Sequence, residues 1–468
     1  MSSPSRPLPR LQLASLAWPL MAELGLAIVL GLLGTAWAGR ISDTDGGAFS
    51  LATQVAAGLF LLFRVVGAGV GVVVTQHLGA GQRAAADRVA LAVLGASSWM
   101  GAGTALLALL CATPLMRALQ APADVLPLAV GFLQAMAPAL LLDAWNASMA
   151  SVMRAHLRAR DTLWVLLVMH GLHLLLAWPL MHGAGPLPAL GLPGFALALG
   201  LSRLVGMALH LVLWRRVLGL RPRWADWWRL PRRELAAVLQ IGAPGAAESA
   251  LHRLCYTVSV AAAAQLGAAA LATHAYVQQL QGVVVMASLA LGFAAEIVVS
   301  HLVGAGRLRD ADRVVQLALR RGLAIALAVS VAVALAAPWL LRWFTRDAAI
   351  IAAGTTLLWL AVVMEAGRTV NLVLVNALRG AGDAGFPLRA GMISMPPLLA
   401  GAAWVLAVPL GLGLPGLWLA YIADEWLRAL LMWRRWSRQH WVPQARSARL
   451  RMRRTAGHAD PASPVAAG

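Results

Sequence analysis

Runs of about twenty apolar residues, the length of helix that crosses the hydrocarbon core of a bilayer, recur from near the amino terminus almost to the end of this chain. In lipid each run must satisfy its own backbone N–H and C=O groups, and a helix does so within one segment. The pattern predicts an all-α polytopic membrane protein with twelve transmembrane helices, near residues 13–38, 48–75, 89–112, 126–150, 162–182, 191–213, 240–265, 272–300, 322–341, 350–374, 390–410 and 414–433. Of the 468 residues 60% are hydrophobic and 12% charged, against roughly 25% charged in soluble domains, so a water-soluble fold is excluded.

The net charge of +19 would suggest a nucleic-acid partner in a soluble protein, but here the basic residues crowd into short connections between apolar runs. All 38 are arginine. The amino terminus, the even-numbered connections and the tail hold 29 of them, the odd-numbered connections four and the spans five. By the positive-inside rule both termini are cytoplasmic. The two cysteines, Cys111 and Cys255, fall within spans, which supports neither a disulfide scaffold nor a cysteine metal site; His170 and His173 lack a third ligand nearby, and no metal site is expected.

The two halves repeat. Pro19 and Glu23 recur as Pro244 and Glu248, Gly79-Ala80-Gly81 as Gly304-Ala305-Gly306, Asn146 as Asn371 and Arg154 as Arg379, all at one constant offset. Beyond those arginines the offset shortens slightly, as a small deletion would make it, pairing Asp161 with Asp383 and Gly191-Leu192-Pro193-Gly194 with Gly413-Leu414-Pro415-Gly416. Six spans is an even number, so both copies enter the membrane from one side and form two parallel six-helix repeats. The expected domains are an amino-terminal lobe over 1–213, a cytoplasmic interfacial linker rich in Arg and Trp over 214–236, a carboxy-terminal lobe over 237–441, and a basic cytoplasmic tail without fixed structure over 442–468.

Gln76-His77-Leu78-Gly79-Ala80-Gly81, its copy ending Gly304-Ala305-Gly306, and Leu378-Arg379-Gly380-Ala381-Gly382-Asp383 resemble the multidrug and toxic compound extrusion (MATE) family, and the resemblance covers roughly 13–441. The Pro-x-x-x-Glu opening of both lobes, Arg154 with Arg160-Asp161, and Asp424-Glu425-Trp426 with Arg428 look like one prokaryotic branch of that family. The resemblance implies a V-shaped pair of six-helix bundles whose central cavity alternates between inward-open and outward-open states. It also implies amphipathic organic cations as substrates, H+ or Na+ as coupling ion, and no cofactor. One departure stands out: many prokaryotic members carry an acid in the middle of the first span, where this chain reads Gly34-Thr35-Ala36-Trp37-Ala38-Gly39, and His252 stands where many relatives have Glu.

A charged side chain inside a bilayer is costly enough to mark a functional candidate. Glu23 and Glu248 come first, each one helical turn after a proline whose ring bends the helix and deprives the carbonyl four residues earlier of its donor. Glu296 has Gly71 as its repeat partner and so gives the second half an extra acid; His252 lies one turn from Glu248, and histidine is a residue able to titrate near neutrality. These four are the candidate coupling or substrate-binding residues, with Pro19 and Pro244 as helix kinks. Glu365 with Arg368, spaced i, i+3, and Asp424, Glu425 and Arg428 are read as structural or gating charges. Arg154, Arg160, Asp161, Arg379 and Asp383, at the cytoplasmic ends of spans, are placed to lock loops differently in two states.

The reading is a secondary antiporter of the bacterial inner membrane, acting as a monomer on small organic solutes, with no enzymatic or nucleic-acid-binding activity. The alternative is a flippase for lipid-linked precursors or an exporter of an endogenous metabolite. A membrane enzyme is disfavoured by the lack of a nucleophile elbow, a P-loop or a His-Glu-x-x-His motif.

Overall fold

The computed structural model describes residues 11–183 and 188–457, and every regular element among them is helical. The chain divides into two compact units. The amino-terminal unit contains Ala22–Leu78 and Gln82–Ala246, and so takes in most of α1 (Leu11–Ile41), then α2 (Asp43–Gly79), α3 (Arg83–Leu110), the short α4 (Ala112–Ala118), α5 (Leu126–Ala135), α6 (Ala137–Ala155), α7 (Ala159–His182), α8 (Leu192–Leu213) and the start of α9 (Arg232–Gln265). The carboxy-terminal unit runs from Ala247 onward, with Gly79–Gly81 and the described residues up to Met21. It holds the rest of α9, then α10 (Ala268–Ala305), α11 (Leu308–Leu335), the short α12 (Ala337–Leu341), α13 (Ala348–Gly380), α14 (Gly385–Ser394), α15 (Ala403–Ala407), α16 (Gly413–Ser437) and α17 (Val442–Gly457).

Every sequence-predicted span coincides with one of these helices or with a helix pair. Among the described residues nine helices are long and apolar enough to cross a membrane, or ten when α5 and α6, bent by 45° at Met136, are taken as one. Pro138 accounts for that bend, because it opens α6 without an N–H to give. The two predicted spans that miss this apolarity are α9 and α16, and these carry Glu248 and His252, and Asp424, Glu425 and Arg428. Pro396 and Pro397 open a wider π-helical stretch over Met395–Ala402 between α14 and α15, as expected where donors for consecutive backbone bonds are lost.

Both α1 and α9 continue as single helices through Pro19 and Pro244. The chain passes from one compact unit to the other just after these residues, between Met21 and Ala22 and between Ala246 and Ala247. In the amino-terminal unit α2 meets the first part of α9 through glycines: a methyl group at Gly242 would overlap the Val65 carbonyl oxygen, and one at Gly69 the Val238 carbonyl oxygen. Backbone cannot retreat as a flexible side-chain tip can. Gly242→Ala is therefore expected to destabilise the protein by about 1–3 kcal/mol, read as a lower midpoint of thermal unfolding in detergent, whereas Ala at Gly58, which has open space around it, should leave the midpoint unchanged.

In the carboxy-terminal unit α13 is the central helix, packed against α10, α11 and α16. Its buried face carries Glu365, Thr369, Asn371, Asn376 and Arg379. The expected linker over 214–236 forms a π turn over Trp214–Leu218 and a 3-10 turn over Trp224–Trp227, and its last residues, from Arg232, are already the first turn of α9. It lies along α3, where the Arg83 guanidinium donates to the Leu218 carbonyl and Trp99 to that of Trp228. The tail departs from expectation. Instead of lacking fixed structure, it forms α17, because Ala445, Ala448 and Met452 recur on one helix face and are buried; residues 458–468 lie outside those described.

Candidate functional site

The candidate acids do not stand alone. In the amino-terminal unit Glu23 on α1 meets Arg154 at the end of α6, Oε2 to Nη1 3.2 Å. In the carboxy-terminal unit Glu248 on α9 meets Arg379 at the end of α13, Oε2 to Nη2 2.7 Å, both nearly buried. Glu and Arg are equally far apart along the chain in the two pairs, and one pair maps onto the other by the offset of the sequence repeat. Two groups expected to act separately, an intramembrane acid and a gate at the cytoplasmic boundary, thus form one ion pair in each unit.

A further group of charges in the carboxy-terminal unit lies on α13 and α16, the first of which also carries Arg379. Glu365 and Arg368, one turn apart on α13, are linked at 2.6 Å, and Arg368 Nε reaches across to Glu425 on α16 at 3.1 Å. Glu425 also accepts from Asn371 and lies 3.0 Å from Arg428. Arg428 grips Asp424 through Nε and Nη2, and Ser394 donates to the other oxygen of Asp424. Glu248 lies within electrostatic range of Arg428. His252, whose ring lies parallel to that of Tyr256, is within electrostatic range of Arg428, Glu425, Arg368 and Asp424.

Counting charges in this cluster is informative. Glu248, Glu365, Asp424 and Glu425 supply four carboxylates, while Arg368, Arg379 and Arg428 supply three guanidinium groups. Each arginine can keep one carboxylate: Arg379 with Glu248, Arg428 with Asp424, and Arg368 with Glu425. Glu365, which shares Arg368 with Glu425, is then the carboxylate in excess. It is completely buried, and its Oε2 has no hydrogen-bond partner. A buried polar group in that condition is unfavourable by several kcal/mol in general, and a single proton or cation at this point makes the cluster neutral.

Other predicted residues lie elsewhere. Glu296 is on α10, where its backbone carbonyl approaches Gly380 and accepts from Ser300. Asp161 opens α7 and pairs loosely with Arg158 at 3.5 Å, beside Arg160. Asp383, in the turn after α13, binds Arg435 at 2.8 Å; burial pushes its carboxyl above the usual range, and Arg435 opposes that shift.

Sequence reading did not join Asp143 on α6 to Arg203 on α8. The Arg203 Nε lies 2.6 Å from Asp143 Oδ1, an ion contact without the alignment of a hydrogen bond. Arg203 also approaches His170 at 3.5 Å, and its backbone carbonyl accepts from Asn146, which is bound in turn to His210. The signal for this pair lay in the repeat itself. The offset that pairs Asn146 with Asn371 also pairs Asp143 with Arg368, and the shorter offset that pairs Asp161 with Asp383 pairs Arg203 with Glu425. The two units therefore hold the same ion pair with its polarity reversed.

Gly34, where many members of the family that the sequence resembles carry an acid, is walled by aromatic rings. A side chain there would run into Phe49 and Phe195, which pack with Phe132 at ring-centroid distances of 5.0–5.9 Å. Restoring the acid with Gly34→Asp is expected to lower stability by about 1–3 kcal/mol through overpacking, seen as a drop in the thermal midpoint, without creating sodium binding by calorimetry.

An all-helical bundle crossing the membrane many times, with paired charges inside it, defines a polytopic transport protein. The MatE family model matches residues 19–178 and 244–405, and the chain belongs to this family, whose members are transporters rather than enzymes and work without a cofactor. Over 430 residues, 92% of this chain and 94% of the relative, it is 28% identical to the uncharacterized transporter YisQ of Bacillus subtilis. It is 26% identical to the probable multidrug resistance protein NorM of Chromobacterium violaceum, over 90% of this chain and 92% of that one. The fold is similar to that of the MATE transporter VcmN of Vibrio cholerae in its bent form, with a TM-score of 0.84 at 19% identity, covering 94% of this chain and 98% of that chain. A transporter of the MOP superfamily from Pyrococcus furiosus gives a TM-score of 0.83 at 19% identity over 92% and 96% of the two chains.

Proposed function

We propose that this chain is a secondary antiporter that exports amphipathic organic cations, multidrug substrates among them, in exchange for H+ or Na+ by alternating access. The observation that carries the coupling is the one surplus carboxylate of the α9, α13 and α16 cluster, with Glu365 Oε2 buried and unpartnered. One proton or one sodium ion neutralises the cluster, and its departure leaves a negative charge to attract a cationic solute. Glu23 and Glu248, first choices from sequence, are each held by an arginine and act as clasps that change with conformation. His252, within electrostatic range of four charges of the cluster, is assigned as its proton relay.

Several facts support this reading. NorM relatives are described as multidrug resistance proteins, and Pro19 and Pro244 sit just before the points where the chain changes compact unit. The distribution of arginines supports an orientation with both termini in the cytoplasm, and the proposed setting is the bacterial inner membrane, with the protein acting as a monomer.

The test is efflux of a cationic fluorescent dye from proteoliposomes under an imposed pH gradient or sodium gradient, each applied alone. Dye moving against its own gradient under one of them is the expected result and identifies the ion. Dye that equilibrates but never accumulates under either gradient would exclude cation antiport.

A further inference from the structure

We infer that α17 is a docking surface for anionic phospholipid headgroups, reading the charge of the bilayer beside the carboxy-terminal unit. Residues 434–454 contain eight arginines and no carboxylate. This segment continues directly from α16, a predicted membrane span, through a short turn at 438–441, so it cannot travel far from the membrane surface.

The turn is firmly built. Trp436 and Trp441 are both buried and stack with ring centroids 4.4 Å apart, 10° from parallel. Trp436 donates to Asp312 at 2.8 Å, and Arg435 is held by Asp383. One face of α17, Ala445, Ala448 and Met452, is buried, and the helix packs against α10. Gly306, at the end of α10, has a positive φ of 75° and lies against the Arg449 guanidinium. The helix is therefore anchored along one side, chiefly by its apolar residues.

The other side presents Arg446 and Arg451, both exposed, around Leu450, which is 57% exposed. Trp433 and Arg434, at the end of α16, are exposed as well. An apolar side chain set among arginines on a helix tethered to a membrane span suits the boundary of headgroups and acyl chains: the leucine would enter the apolar layer while the guanidinium groups stay with phosphates. A nucleic acid would match the charge but has nothing to offer the leucine. Juxtamembrane arginines near an anionic leaflet are attracted by an amount equivalent to about a fivefold change in occupancy each.

The experiment measures amide hydrogen exchange over 444–452 in the full-length protein, in nanodiscs of pure phosphatidylcholine and of phosphatidylcholine mixed with phosphatidylglycerol. Exchange should slow in the anionic discs, on the order of thirtyfold for two engaged arginines. The slowing should vanish in R446Q/R451Q, persist in R446K/R451K, and shrink in about 1 M salt, where the Debye length falls to about 3 Å. Equal exchange of wild type and R446Q/R451Q in pure phosphatidylcholine shows that the variant keeps its fold. The inference is overturned if the two lipids give equal exchange, or if R446Q/R451Q retains the slowing. Inorganic phosphate or a short oligonucleotide producing the same slowing in pure phosphatidylcholine would overturn it as well, by assigning the surface to a soluble anion.

Discussion

Glu365→Gln is expected to uncouple transport without unfolding the protein. For one-for-one exchange, each pH unit, or each tenfold sodium gradient, supplies about 1.4 kcal/mol and sustains at most about a tenfold solute ratio across the membrane. In the variant that ratio should stay near one, while dye still moves down its own gradient. The argument rests on what glutamine leaves behind. Arg368 retains Glu425, Arg428 retains Asp424 and Arg379 retains Glu248, so removing the Glu365 charge strands no guanidinium group. Glu248→Gln removes one negative charge too, but it deprives Arg379 of its partner, and its expected signature is lost stability. Measuring gradient-driven efflux and thermal midpoint on both variants separates coupling from folding. Full gradient-driven efflux in Glu365→Gln would remove this residue from the coupling mechanism.

How much of this was legible in the sequence depends on which interactions are local. Helices α1–α3 and α7–α8 announce themselves, because a bilayer demands long apolar runs and little in water imitates them. The Glu365–Arg368 contact is also local, since positions three apart share a helix face. The choice between acids was not legible. Glu23 and Glu248 looked exceptional as charges inside apolar helices, yet their counter-charges lie far along the chain on other helices, and one-dimensional spacing does not report such neighbours. Glu365 looked settled because Arg368 stood beside it; only the arrival of Glu425 from α16 divides Arg368 between two carboxylates and leaves one of them over. The tail was misjudged for a related reason: its arginines dominate any composition, while three small or flexible residues on one face decide that it folds.

Mean hydropathy misleads in the same way around α13. The helices α9 and α16 fall short of ordinary membrane-crossing apolarity, and they are the ones with which α13 shares its charges. Paired ions are far less costly in a low-dielectric setting than lone ones. The helices that look least suited to lipid are thus the ones whose charges are met within the protein.

Exchanging Asp143 and Arg203 is expected to rescue what either single change destroys. Arg203→Gln leaves Asp143 without its counter-ion in a largely buried position, and removing one partner of a buried pair typically lowers stability by about 3–5 kcal/mol. Asp143→Asn should be harmful in the same way by leaving Arg203 alone. The double variant Asp143→Arg with Arg203→Glu rebuilds the pair in the opposite sense, and the protein already contains a precedent: Arg368 on α13 and Glu425 on α16 stand at the repeat-equivalent positions, 3.1 Å apart. Asn371, which donates to Glu425, has Asn146 as its counterpart, but Asn146 already donates to the Leu142 and Arg203 carbonyls, so a glutamate at 203 must compete for that donor. The contact between Arg203 and His170 is lost in the exchange, which is why recovery should exceed half of the single-variant loss without being complete. Thermal midpoints in detergent for the wild type, both single variants and the double variant decide the matter. A double variant no more stable than the singles would mean that each repeat has committed its surroundings to one polarity, and that the reversed pairs are no longer interchangeable.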